Sequence, residues 1–300
     1  MDKDALEKNA KKIEKEDKRK EKLTELHKSN LLLIVFGISF ILYLLTKSII
    51  FAFLSGFSLI AYFFVDIYVS ASQTSWKQEI IEIVKAAALA IIIFAAISFL
   101  LGTSVPISGV VSCSLLPSYE RGDFVIVQGI KAKDINAPTI EITEEELNDI
   151  NNSKVLCGSS KNESITYKCQ SMCPRISSST KKLIGYSPEC VRSIYIKGKE
   201  INENLTNDVI VYASHVNGTY TNMDIVHRVF LKLKVGESYY LLTKGDNNNY
   251  MDVSYFDIVR ESDLKGKVIF RIPILGYVKL VISGPAYYGE PEGCDTILLH

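Results

Sequence analysis

Residues 112–128 read SCSLLPSYERGDFVIVQ. Two serines two positions apart, a proline that stiffens the turn after them and an Arg-Gly-Asp corner lead into the apolar strand FVIVQ. The stretch lies just beyond the last long apolar run of the chain and opens a region of strand-like texture. It therefore marks where a membrane-embedded part gives way to a β-rich domain. A serine near a turn is ordinarily structural, and it becomes a nucleophile only when a base and an oxyanion site converge on it. Whether Ser112 or Ser114 has such company depends on the rest of the chain.

The chain has 300 residues, a formal net charge of zero and six cysteines. That length accommodates a membrane anchor plus one or two domains. No basic field runs along the sequence, which argues against nucleic acid as a partner. Long apolar runs confined to the first third identify an integral membrane protein, with the lipid bilayer as its surroundings. Cys113, Cys157, Cys169, Cys173, Cys190 and Cys294 all fall after that third, which points to an oxidising compartment.

Toward the amino terminus, residues 1–30 form a charged arm that mixes Lys, Arg, Glu and Asp with little apolar periodicity, as a solvated segment does. A cleavable signal peptide is not expected, because the apolar region begins late and runs too long. Residues 31–69 are apolar apart from Thr46, Lys47, Ser48 and Asp66. As one helix they would measure almost twice the ~30 Å of bilayer hydrocarbon at ~1.5 Å per residue. The pattern predicts a transmembrane hairpin with spans at 31–45 and 49–68, the first short enough for a re-entrant arrangement. After the polar bridge SASQTSWKQE comes a third span at 84–101. The positive-inside rule keeps the arm, Lys77 and Lys85 cytoplasmic, with Lys47 as the dissenting charge. Three crossings then place everything after Leu101 outside the cytoplasm, in a multi-pass protein of the cell membrane or, in a eukaryote, of the endoplasmic reticulum.

Toward the carboxyl terminus, residues 131–206 change texture. An acidic helix-like ITEEELNDI is followed by Ser, Asn and Lys around Cys157, Cys169, Cys173 and Cys190. The reading is an inserted subdomain, too poor in apolar residues for a core of its own and stapled by two disulfides in one of three pairings. Zinc is the alternative for Cys169 and Cys173, but no histidine lies near them. Glycosylation-type triplets begin at Asn151, Asn162, Asn204 and Asn217 and carry little weight alone. Strand texture resumes with DVIVYA at 208, DIVHRVF at 224, YYLLTKGD at 239 and GKVIFRIP at 266. Residues 103–130 and 207–300 thus predict a mostly antiparallel β domain. The apolar stretch that follows residue 275 is too short to cross a membrane. The expected fold class is N-terminal transmembrane α-helices plus a mostly β extracytoplasmic domain that carries a disulfide-stapled insertion.

Four histidines make the search for a base short. His27 is in the arm, His300 is the last residue, and His215 lies among Ser, Asn and Gly in an expected loop. His227 sits inside an apolar strand, either as a hydrogen-bonded residue on the polar face or as a base. Residues 244–252, KGDNNNYMD, supply Asp246 and Asp252. They read as an Asp/Asn turn, as a calcium loop that lacks the central glycine and closing glutamate of an EF-hand, or as the source of an acid that orients a histidine. Spacing alone leaves these readings open.

Together the three segments resemble type I signal peptidases, in particular the archaeal and endoplasmic-reticulum branch. That family carries Ser-Gly-Ser-Met-x-Pro followed by Arg-Gly-Asp and a strand, then Ile-Val-His-Arg-Val, then Thr-Lys-Gly-Asp-Asn-Asn with an aspartate shortly after. The corresponding stretches here are SCSLLPSYERGDFVIV, IVHRV at 225–229 and TKGDNN at 243–248. The resemblance covers the membrane exit and the β core, not the arm, the first hairpin or the insertion. It implies a signal-peptidase-like antiparallel β fold, a serine endopeptidase activity on preprotein signal peptides, no cofactor and no metal, and the protein-export machinery as a neighbour. It also implies Ser114 as nucleophile, His227 as general base and Asp252 as the orienting acid, with Ser112 a supporting oxyanion donor and Asp246 supporting the site. Cys113 stands where the family has glycine, Leu115 where it has methionine and Leu116 where it has an acidic residue. Either the side chain at 113 crowds the turn or Cys113 pairs with another cysteine. The competing reading is a catalytically silent relative that acts as an extracytoplasmic binding or assembly subunit.

Overall fold

The computed structural model describes residues 18, 21–26, 29–46, 49–73, 76–153, 157–159, 164–273 and 293–300. Most of the charged arm, the Lys47 and Ser48 turn, Asn162 and the apolar stretch after residue 275 lie outside them. The chain divides into two units, Met1–Ile93 and Phe94–His300.

Three apolar helices come first: α1 (Leu31–Thr46), α2 (Ile49–Gln73) and α3 (Trp76–Leu101). Within the first unit α1 packs against α2. Ser39 and Ser58 turn their hydroxyls back onto the helical carbonyls of Val35 and Ser55, at 2.6 and 2.9 Å, so neither presents an unpaired polar group to apolar surroundings. Among the described residues, one helical stretch, Ile80–Leu101, is long and apolar enough to cross a membrane, while Leu31–Leu42 and Leu54–Val69 are shorter apolar stretches. Part of the polar bridge SASQTSWKQE is helical: residues 70–73 belong to α2, which ends at Gln73, and residues 76–79 open α3 at Trp76. Gly102 ends α3. At φ +65 it lets its own N–H reach Phe99 O and that of Thr103 reach Ser98 O, which closes the last turn with a left-handed cap.

The second unit is built from β1 (Ile107–Gly109), β2 (Phe124–Gln128), β3 (Thr139–Glu141), the helix α4 (Glu144–Ser153), β4 (Gly158–Ser159), β5 (Thr166–Ser177), β6 (Leu183–Ile196), β7 (Lys199–Asn202), β8 (Val209–Val216), β9 (Thr219–Val235), β10 (Ser238–Lys244), β11 (Val259–Arg260), β12 (Leu264–Ile272) and β13 (Thr296–Leu298). An eight-stranded sheet runs in the order β1-β2-β12-β8-β9-β10-β11, with β3 paired to β9. Every pairing in it is antiparallel except β3 with β9, where Thr139 lies opposite Lys232. Alternation in β8 sends Ile210 and Tyr212 to one face, against Val229 and Leu241, and Val211 to the other, against Val125 and Val127.

A five-stranded sheet runs β13-β5-β6-β7, with β4 paired to β5. Residues 131–206 therefore do not stand apart. They lend β3 to the larger sheet, and their own sheet takes β13 from near the end of the chain. Ile150, Ile165, Tyr167, Val191 and Ile194 bury themselves in one cluster with Leu231, Leu233 and Met251, so the two sheets share a core. Three disulfides join Cys113 to Cys294, Cys157 to Cys169 and Cys173 to Cys190.

His215 is a strand residue rather than a loop residue: it lies in β8 opposite Tyr220. The Asn217–Gly218 pair, at φ +50 and +75, makes a two-residue turn, so the hairpin strands run up to Val216 and Thr219.

Candidate active site

The serine stretch is a compact turn held at both ends. Tyr119 N–H donates to Leu115 O at 3.0 Å, and the Leu116–Pro117 peptide is cis. The Arg-Gly-Asp corner closes it. Gly122 takes φ +90, and the buried Asp123 carboxylate accepts the Glu120 N–H at 2.8 Å. The chain then enters β2, whose Val125 and Val127 anchor the corner in the core. Ser112 and Ser114 are both half-buried, with their hydroxyl oxygens 3.0 Å apart.

His227 lies on β9 opposite Ile210 and on the same face as Val229, so strand alternation alone aims its ring at that sheet face. Asp252 begins a 3-10 turn, Asp252–Ser254, after the loop that leaves β10. His227 Nδ1 is 2.7 Å from Asp252 Oδ2, and His227 Nε2 is 2.8 Å from Ser114 Oγ. A carboxylate only accepts, so Nδ1 carries the proton and donates to Asp252, which leaves Nε2 to accept from the serine hydroxyl.

Asp252 is 5% exposed. Burial works to raise its carboxyl, but the adjacent His227, with hydrogen bonds from His227 and Tyr212, outweighs burial and holds it below the ordinary carboxylate value. Tyr212 O–H donates to Asp252 Oδ2 at 2.9 Å, and Thr243 O–H donates to Tyr212 at 3.1 Å. Burial, together with that carboxylate, pushes the Tyr212 phenol well above its ordinary value, so it remains a donor.

Asp246 stands elsewhere. Its carboxylate takes Arg228 Nε and Nη2 at 2.8 and 2.7 Å, and the Ser118 hydroxyl at 2.6 Å. This fork ties the residue after His227 to the turn after Ser114, so Asp246 braces the two segments without touching the imidazole. The stretch KGDNNNYMD forms a turn, in which Asn248 N–H donates to Gly245 O at 2.9 Å. A Cβ at Gly245 would stand 2.7 Å from Ser114 O, so glycine is what allows this loop to back the serine so closely. A cleft of about 530 Å³ opens beside Ser114, lined also by Ser112, Arg175, Asn249, Tyr250 and Tyr255.

Tyr212, Thr243, Arg228 and Ser118 are the contributors that sequence reading passes over. Arg228 carried a signal, since it follows His227 within IVHRV. Tyr212 carried only its place in an apolar strand.

A hydroxyl, an imidazole and a buried carboxylate linked in series have the form of the triad used by serine hydrolases. No family model matches the chain. Among curated proteins it is similar to the signal peptidase complex catalytic subunit SEC11 of Metarhizium robertsii, at 39% identity over 85 residues, 27% of this chain and 47% of that protein. The subunit of the same name from Colletotrichum graminicola is 38% identical over 87 residues, 28% of this chain and 48% of that protein. That from Candida tropicalis is 35% identical over 92 residues, 29% and 53%. The chain thus spans about half the length of the curated relatives it matches, and over that part it resembles Sec11-like type I signal peptidases.

Proposed function

We propose that the chain is a membrane-anchored serine endopeptidase that removes signal peptides from exported preproteins, with Ser114 as nucleophile, His227 as general base and Asp252 as the acid that orients the base. The observation that carries this reading is the unbroken hydrogen-bonded series from Ser114 through His227 to Asp252, in a chain similar to catalytic subunits of signal peptidase complexes. Ser114 Oγ attacks the scissile carbonyl as its proton passes to His227 Nε2. The Ser114 N–H and the Ser112 hydroxyl donate to the oxyanion. The tetrahedral adduct collapses, the C–N bond breaks, and His227 returns the proton to the departing amine. Water, deprotonated by the same imidazole, then releases the acyl group. This proton traffic needs no cofactor.

The helices α1, α2 and α3 serve as three spans that leave the arm in the cytoplasm and the β domain outside it. Three disulfides in that domain support an oxidising location. The partners that follow are preprotein signal peptides, the lipid bilayer and the other components of an export complex.

The test is cleavage of a preprotein in membranes that contain the full chain. The unmodified protein is expected to release mature product, and Ser114→Ala or His227→Ala to slow release at least about a thousandfold. Equal release by Ser114→Ala would end the assignment.

A further inference from the structure

Arg175 stands in β5, within the segment that holds no candidate for catalysis, yet it lines the cleft beside Ser114. All five of its N–H donors have acceptors. Nε donates to Ser187 Oγ, Nη1 to Asn247 Oδ1 and Thr296 Oγ1 at 3.2 and 3.1 Å, and Nη2 to Asn247 O and Asn249 Oδ1 at 3.2 and 2.8 Å. None of these acceptors is a carboxylate, so the fork acts here as a template for fixed geometry rather than as half of an ion pair.

Asn247 passes that geometry on. It is 5% exposed, and its Oδ1 accepts from Arg175 and from Leu298 N–H, the latter at 2.7 Å. With Oδ1 fixed on that side, the amide nitrogen faces the other way. Nδ2 donates to Cys113 O at 3.1 Å, and to Gly293 O and Thr296 O at 3.0 and 2.9 Å. The Asn247 backbone N–H donates to Ser114 O at 2.7 Å. Cys113 C=O and Ser114 N–H belong to one planar trans peptide, in which the two bonds point in opposite directions. Whatever holds the carbonyl therefore also fixes the direction of the N–H.

We propose that Arg175 is a positioning residue: through Asn247 it orients the Cys113–Ser114 peptide, whose N–H receives the oxyanion. The inference rests on the proposed peptidase function and gives the segment 131–206 a part in it. Losing one oxyanion donor outright costs about a hundredfold to a thousandfold in kcat. A donor left in place but poorly aimed costs less, on the order of tenfold to a hundredfold.

The experiment measures kcat and KM for preprotein cleavage by the full chain in membranes and by its Arg175→Met, Asn247→Ala and Arg175→Met/Asn247→Ala variants. Arg175→Met is expected to lower kcat about tenfold or more with KM within about twofold, and the double variant to be no slower than Asn247→Ala alone. A kcat for Arg175→Met within about twofold of the unmodified protein, or losses that multiply in the double variant, overturns the positioning role and leaves the proposed function standing. An unmodified protein that cleaves nothing overturns both. Should Arg175→Met fail to fold, Arg175→Lys carries the test. A single ammonium cannot serve all five acceptors, so an intermediate kcat supports the proposal and an unchanged one overturns it.

Discussion

The eight-stranded and five-stranded sheets share a core but are secured by different means. In the larger sheet, six consecutive residues of β8, from Val209 to Ser214, are buried, because apolar groups cover both faces. In the smaller sheet the far part of the β5–β6 hairpin stands in the open, with Met172 59% exposed and Leu183 and Ile184 54 and 55% exposed. All three disulfides end on it or beside it: Cys169, Cys173 and Cys190 lie in its strands, and Cys294 just before β13. Cys173 and Cys190 are fully buried with Leu298, so this cross-link lies where the hairpin meets β13 and not at its open end. The larger sheet carries His227, while the smaller one meets the serine turn through Ile176 and Ile297, which pack with Cys113 and Leu116 beside the Cys113–Cys294 bond.

The largest effect expected from breaking this arrangement is at Cys113 and Cys294. Their bond closes a ring with a sequence separation of 181, against 12 for Cys157 and Cys169. In the chain-entropy account, replacing the first pair by alanine costs about 5 kcal/mol and replacing the second about 3. Thermal unfolding in detergent compares them, and equal losses would show that ring size is not what these bonds contribute. Next comes Leu231→Ala in the shared core, where the side chain is fully buried. A loss of about 2–5 kcal/mol is expected there. Leu183→Ala on the open hairpin should be nearly silent, and a comparable loss at Leu183 would mean that this part of the smaller sheet is covered after all.

The remaining effect is electrostatic. Glu203 follows β7 and accepts from Lys244, Arg192 and His300. Burial works to raise its carboxyl, but His300 and Lys244 prevail and bring it from the ordinary 4.5 down to about 2. Because the folded value is the depressed one, the stabilisation is full above pH 4.5 and is lost as pH falls toward about 2. It amounts to on the order of 2–3 kcal/mol once partial exposure is discounted. Unfolding midpoints recorded across that window should fall for the unmodified protein and fall less for Glu203→Gln. Identical slopes would remove Glu203 from the account.

Much of the larger sheet was legible, because alternation in β8, β9 and β12 is a local property of the sequence. The reach of α2 and α3 into the polar bridge was less so, since polar residues such as Ser70, Ser72 and Lys77 imitate a loop without breaking a helix. Ser114, His227 and Asp252 drew attention through the segments that hold them, not through spacing, for 113 positions separate the serine from the histidine and that carries no distance. Arg175 and the partner of Cys113 were not legible at all. Their contacts depend on β13 returning to pair with β5, and no periodicity within either strand announces its neighbour.

The order in which a chain is made adds a consequence to the Cys113–Cys294 bond. Synthesis runs from the amino terminus, so the serine turn emerges long before the cysteine that will tie it down. Residues 114 to 293, with Arg175, His227 and Asp252 among them, must be made before that bond can close. The serine turn thus receives its covalent tether only after the chain that supplies Arg175, His227 and Asp252 has been made.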